Sequence, residues 1–134
     1  MVEINIEYEG NLHTRAVHGP SNDALATDAP KDNMGRGEAF SPTDLLATSL
    51  GTCMLTTMGI VAQRDAIELK GAKAKVLKDM TPPPRRVARL VVTLDLFAKV
   101  TDEQKLKLEN AAHMCPVKKS LHPDVIVETT FNWR

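Results

Sequence analysis

The stretch Ser41–Arg64, SPTDLLATSLGTCMLTTMGIVAQR, decides the fold that this sequence predicts. It opens with a helix start signal, because Ser41 is a favoured N-cap, Pro42 suits the first helical position and Asp44 can reach back as a capping-box acid. Apolar residues then cover more than one face of the predicted helix. A helix of this kind is usually buried on most sides, and we expect that here.

Small and polar residues interrupt this helix. Gly51 and Gly59 are expected to let another backbone approach closely, as where two long helices cross in a core. The segment is about as long as a membrane span, but its glycines and hydroxyl residues, and the ordinary soluble character of the rest of the chain, argue against one. We therefore predict a core helix and no membrane partner.

Length and charge narrow the possible functions. A chain of 134 residues suits one domain, which we place over residues 1–134. Its 17 basic and 17 acidic residues balance without like-charged blocks, which argues against a nucleic-acid partner. The opening residues MVEINIEYEG do not resemble a signal peptide, so we expect a cytoplasmic protein. In that reducing compartment two cysteines are either core thiols or redox groups.

Strands and a second helix surround the long helix. Residues 2–8 alternate with period two and lead into a weaker hairpin partner over residues 12–18, followed by a short strand at 24–27 and an exposed, mobile loop, GRGEAF, at 35–40. After the long helix we predict strands over 72–77 and 86–100, a capping box at Thr101 with a helix to about Met114, a short helix Pro116–Leu121 and a strand over 124–132. Strands grouped in runs favour an α+β fold. The even-numbered face of segment 86–100 is almost wholly apolar and should lie on the long helix.

The two cysteines are the main candidates for chemistry. Cys53 has no charged neighbour within LGTCMLTTM, and alone it is more typical of inert core than of a nucleophile. Cys115 precedes Pro116 and would be the N-cap of the short helix, with Lys118 nearby, where a thiolate is favoured. A capping role without chemistry fits Cys115 equally well.

Other candidate residues are weaker. His113 and the two cysteines could offer three ligands, but no spacing typical of a zinc site is present, so no metal or cofactor is expected. The four histidines, at positions 13, 18, 113 and 122, are expected to be surface or strand residues. Arg36, flanked by glycines, could place a cation over the start of the long helix, and Arg15 could play the same part.

The segment GEAFSPTDLLATSLGTC, with CPVKKSL beginning 62 residues after its cysteine, resembles the signature of the OsmC/Ohr family. The resemblance spans nearly the whole chain. It implies an α+β fold in which an antiparallel sheet packs on a long central helix and a second helix, with two chains intertwined as a homodimer.

The resemblance also implies reduction of organic hydroperoxides and, more weakly, hydrogen peroxide. Cys53 matches the peroxidatic cysteine and Cys115 the resolving one, with a dithiol or lipoyl-type reductant completing the cycle. Arg36, or second to it Arg15, matches the arginine that holds the thiolate.

One family feature is missing. Better-characterised branches carry a Glu ten residues before the first cysteine, where this chain has Thr43, and the acid Asp44 comes one place later. Glu38 in the preceding loop could substitute. A non-catalytic thiol redox switch, or a small-ligand-binding dimer with the same fold, therefore stays open beside the peroxidase.

Overall fold

The computed structural model describes residues 1–134 and divides into two compact units, Met1–Leu46 and Ala47–Arg134. Three strands form the sheet of the first unit: β1 (Ile4–Gly10), β2 (His13–His18) and β3 (Ala24–Asp28). They are antiparallel in the order β1-β2-β3, so the predicted hairpin is confirmed. The strand predicted at 24–27 is also present. A short 3-10 helix over Lys31–Asn33, which the sequence analysis did not predict, precedes the GRGEAF loop.

The long helix α1 (Pro42–Arg64) begins in the first unit and continues into the second. Its start is as predicted: the backbone N–H of Ser41 donates to the Asp44 carboxylate at 2.9 Å, and the N–H of Asp44 donates to the Ser41 hydroxyl at 3.1 Å. These reciprocal bonds satisfy donors that a helix N-terminus otherwise leaves unpaired. Asp44 is thereby committed to the cap.

The second unit contains a sheet of three strands, β4 (Lys73–Met80), β5 (Val87–Leu96) and β6 (Ile126–Trp133), in the order β4-β5-β6. Between β5 and β6 lie α2 (Asp102–His113) and α3 (Pro116–Ser120). The capping box at Thr101 is present, with the Gln104 side chain returning to the Thr101 backbone.

The α+β fold class is confirmed, but one pairing differs from an antiparallel sheet. Strands β4 and β5 are antiparallel, whereas β5 and β6 are parallel. Parallel neighbours need a crossover connection, and the segment that carries α2 and α3 supplies it. The second sheet is therefore mixed.

The core of the second unit lies on one face of this sheet. The even-numbered side chains of β5 are largely buried, and Leu90, Val92 and Leu94 have no exposed surface. A Cβ on Gly51 of α1 would come within 2.9 Å of Val76 on β4, which pairs with Val92. Helix α1 thus packs on the predicted apolar face.

In the single chain, α1 is not buried on most sides. Only one stripe is buried, consisting of Ala47, Leu50, Gly51, Met54, Met58 and Ala62. The remaining sides of the helix are partly or fully exposed in the single chain. Gly51 lies against side chains of β4, and a Cβ on Gly59 would meet nothing within 4 Å, so a second helix crossing α1 stays a prediction.

By length and composition alone, α1 could span a membrane. Its most apolar stretch has a mean hydropathy of 1.6, and 33% of that stretch is buried. A core helix of a soluble protein meets the same test, so this match is only a weak indication of a span. The buried stripe and the packing of Gly51 on β4 fit a core helix.

Candidate functional site: a thiol pair

Cys53 lies on α1 beside the buried stripe and is partly exposed. Its neighbours Leu50 and Met54 are fully buried, so its position on the helix surface is set by a well-anchored helix. The hydroxyl of Thr57 donates to the Cys53 carbonyl at 3.1 Å. The thiol therefore lies on a well-packed helix and is partly exposed in the single chain.

Cys115 lies at the break between α2 and α3 and is fully buried. The prediction that it caps the short helix is confirmed, because its sulfur accepts the backbone N–H of Lys118 at 3.2 Å. Pro116 occupies the first position of α3, where its missing N–H costs nothing. The break between α2 and α3 thus places the Cys115 sulfur in the interior of the second unit.

The structure brings the two thiols together although 62 residues separate them in the sequence. Neither is in a disulfide. Burial raises the pKa of the Cys115 thiol, the Cys53 side chain raises it further by hydrogen bonding and charge, and the backbone N–H groups of Lys118 and Val117 act in the opposite direction. Cys115 is therefore held as a neutral thiol next to Cys53.

A His–Lys contact that the sequence analysis missed flanks Cys115. The Lys118 ammonium lies 3.0 Å from Nδ1 of His113, whose ring meets Phe131 edge-on with centroids 5.5 Å apart. Burial and then the Lys118 charge lower the pKa of His113. The Nδ1 of a neutral imidazole can accept a hydrogen bond from the ammonium, so the pair joins the end of α2 to the first turn of α3. The five-residue spacing was the only signal available in the sequence.

The two candidate arginines lie in the first unit and are both exposed. Arg36 contributes favourable charge to Asp28. Arg15 lies on β2 opposite Glu7 of β1. A role at the thiol stays a prediction for both residues.

The acidic residues near the GRGEAF loop take part in other hydrogen bonds. Asp44 caps α1, and the backbone N–H of Glu38 donates to the Asp28 carboxylate at 3.1 Å. Asp28 is 2% exposed and also lies 2.6 Å from Nδ1 of His13. This His13–Asp28 pair, which the sequence analysis did not find, lowers the pKa of Asp28 mainly through its hydrogen bond.

A groove lies elsewhere in the second unit, with a volume of about 490 Å³. Leu55, Gly59 and Ala62 of α1 line one side, and residues 67–72 line the other. Neither cysteine borders it. No cluster of three or more His, Cys, Asp or Glu side chains is arranged to hold a metal ion.

These features define a class of protein: an α+β chain with two three-stranded sheets, a long helix bearing one accessible thiol, and a buried partner thiol at a helical break. The chain belongs to the OsmC family, because the model of that family, described as OsmC-like protein, matches residues 35–130. A search of curated protein sequences finds no match.

Solved structures share the fold over nearly the full length. A candidate osmotic stress induced and detoxification response protein from Psychrobacter arcticus is 44% identical, with a TM-score of 0.94 over 98% of this chain and 96% of that one. An organic hydroperoxide resistance protein OsmC from Legionella pneumophila is 19% identical, with a TM-score of 0.73 over 98% and 96%. A candidate organic hydroperoxide resistance protein from Vibrio cholerae, crystallised with captopril in one of its active sites, is 22% identical, with a TM-score of 0.73 over 98% and 91%. The last two similarities establish the fold alone.

Proposed function

We propose that this protein is a thiol-dependent peroxidase that reduces organic hydroperoxides and, more weakly, hydrogen peroxide. The observation that carries the proposal is the juxtaposition of a partly exposed Cys53 with a buried, neutral Cys115. Membership of the OsmC family supports a peroxide-related role, and two structures that share the fold are described as organic hydroperoxide resistance proteins.

The proposed cycle begins with Cys53 as thiolate. Its sulfur attacks the terminal oxygen of the hydroperoxide, the O–O bond breaks, and a proton completes the alcohol product, leaving a sulfenic acid on Cys53. The Cys115 sulfur then displaces the hydroxyl group, a disulfide forms, and water leaves with the Cys115 proton. A dithiol or lipoyl-type reductant returns both cysteines to thiols.

Burial of Cys115 supports this division of roles. Its raised pKa keeps it protonated while peroxide reacts, so it does not compete as the first nucleophile. Once Cys53 is oxidised, the neighbouring thiol is already in place, and an intramolecular reaction has a large advantage over further oxidation by free peroxide.

The remaining roles rest on the motif resemblance. Arg36, or second to it Arg15, is assigned to hold the Cys53 thiolate. A homodimer and a cytoplasmic location complete the proposal. The exposed apolar side chains of Ile4, Ile6 and Tyr8 on β1 support the dimer, because a second copy could cover them.

The test is peroxide consumption in the presence of a dithiol. Purified protein is expected to consume an alkyl hydroperoxide over many turnovers, Cys53→Ser to consume none, and Cys115→Ser to react once and then accumulate over-oxidised Cys53. Consumption that persists in Cys53→Ser would overturn the proposal.

One observation favours a second candidate, a thiol redox switch without turnover. Thr43 stands where better-characterised family branches have a Glu, and the nearest acid, Asp44, is bound in the helix cap. The switch predicts one disulfide per chain and then no further peroxide loss with any dithiol. Sustained turnover excludes it.

A further inference from the structure

The two sulfur atoms differ sharply in their access to solvent. Cys115 has no exposed surface, whereas Cys53 is partly exposed on α1. Thiol–disulfide exchange requires an attacking thiolate to reach one particular sulfur, so access decides which sulfur of a disulfide is attacked.

Building on the proposed function, we propose that the reductant attacks Sγ of Cys53 in the oxidised protein, so that the mixed disulfide forms on Cys53 and Cys115 is the leaving group. The reductant class is a thiol compound able to present a sulfur at the surface of α1. The buried Cys115 is never joined to it.

The raised pKa of Cys115 slows its departure as a leaving group, and one hydrogen bond offsets part of this effect. As the S–S bond breaks, the electron pair goes to the Cys115 sulfur, which faces the Lys118 backbone N–H at 3.2 Å. A hydrogen bond from a donor to a developing thiolate stabilises it.

Proton uptake then makes the step directional. Because burial raises the pKa of Cys115, the departing thiolate takes a proton at neutral pH and loses the nucleophilicity it would need to close the original disulfide again.

The second thiolate of a dithiol attacks the reductant sulfur that is bonded to Cys53. The reductant leaves as its own disulfide and Cys53 is released as thiolate. Two electrons pass from the dithiol to the protein disulfide in total.

The experiment uses a disulfide that does not depend on peroxide. Wild-type protein is oxidised with diamide, treated briefly with the monothiol 2-mercaptoethanol, quenched with excess iodoacetamide in guanidinium chloride so that the buried thiol is also alkylated, and then digested with trypsin. The peptides carrying the two cysteines, residues 37–64 and 108–118, separate by mass. We expect the mercaptoethanol adduct on 37–64 and the alkyl group on 108–118, in at least about tenfold excess over the reverse pattern. The reverse pattern, equal labelling, or absence of the diamide disulfide would overturn the inference.

Single-cysteine variants provide a second measurement. Cys53→Ser leaves only Cys115, and Cys115→Ser leaves only Cys53, and the folded variants react with the disulfide reagent DTNB. We expect the first to react at least about tenfold more slowly, and the difference to vanish in guanidinium chloride. Equal rates in the folded state would contradict the inference. Disulfide formation with diamide but not with peroxide would refute the peroxidase proposal. The attack on Cys53 would then be tested by the labelling pattern of the two peptides alone.

Discussion

At the residue scale, the arginine assignment is the part of the peroxidase proposal that most needs a direct test. Replacing Arg36 by Gln removes the charge and keeps much of the length. If this residue stabilises the thiolate, kcat/KM for an alkyl hydroperoxide should fall by about 10²-fold, the order of loss seen when one electrostatic partner of a reacting group is removed. The matched variant Arg15→Gln should change the rate little. A larger loss in Arg15→Gln would reverse the assignment between the two exposed arginines.

Asp28 allows a second test at this scale, one of stability against pH. Its carboxylate pairs with His13 and accepts the Glu38 N–H, and its pKa lies below the ordinary value of 3.8. A depressed pKa means that the ionised group stabilises the folded state above about pH 4, and that this contribution is lost as the pH falls through the lower folded value.

We therefore expect Asp28→Asn to lower the urea midpoint at pH 7 and to weaken the dependence of that midpoint on pH below 4. Asp23→Asn, at an exposed position with the same change in charge, is the control and should leave both unchanged. The measurement is a urea titration at several pH values. A wild-type slope retained in Asp28→Asn would show that other acids carry the effect.

At the scale of elements, the two glycines of α1 form a matched pair. Both interrupt a helix, and alanine is favoured over glycine in a helix interior by about 1 kcal/mol. Gly59 has open space where a Cβ would lie, so Gly59→Ala should raise the free energy of unfolding by up to about that amount.

Gly51 differs because a Cβ there would come within 2.9 Å of Val76 Cγ2. Valine is β-branched and has little rotational freedom, so relief requires a shift between α1 and β4, and overpacking of this kind costs about 1–3 kcal/mol. Gly51→Ala should therefore be less stable than Gly59→Ala by about that range. Chemical denaturation of the two variants measures the difference, and equal stability would mean that α1 can move away from the sheet at no cost.

At the scale of elements, the features that could be predicted from the sequence are those formed by residues close together in it. Helix caps at Ser41, Thr101 and Cys115 depend on residues within three positions, and all three formed as predicted. Strand β5 was evident from its period-two pattern. The parallel pairing of β5 with β6 could not be read in the same way, because it depends on how α2 and α3 return the chain.

At the scale of the whole molecule, the contacts that could not be predicted from the sequence are those between residues far apart in it. Fifteen positions separate His13 from Asp28, and only the register of β2 on β3 makes them neighbours. The contact between Cys53 and Cys115 spans 62 positions, and from the residues alone each cysteine fitted an inert role. The family resemblance, and not local pattern, predicted that they act together.

The single chain leaves one apolar surface uncovered in its first unit. On β1, Ile4, Ile6 and Tyr8 share a face and are each 58–68% exposed. Ile6 lies opposite Ala16, which in turn lies opposite the exposed Leu25. Contiguous exposed apolar side chains on a sheet are costly in water, and the proposed homodimer would explain them if this face is covered by a second copy.

Ile6→Lys tests that explanation, because a buried lysine without a partner opposes association strongly. We expect the variant to sediment as a monomer in analytical ultracentrifugation at concentrations where the wild-type protein is a dimer. Glu7→Gln adds the same single unit of positive charge on the opposite face of the same strand and should remain dimeric. A wild-type monomer would remove the homodimer from the proposal, and an Ile6→Lys dimer would place its interface elsewhere. If dimerisation also supports catalysis, Ile6→Lys should lose peroxidase activity while Glu7→Gln retains it.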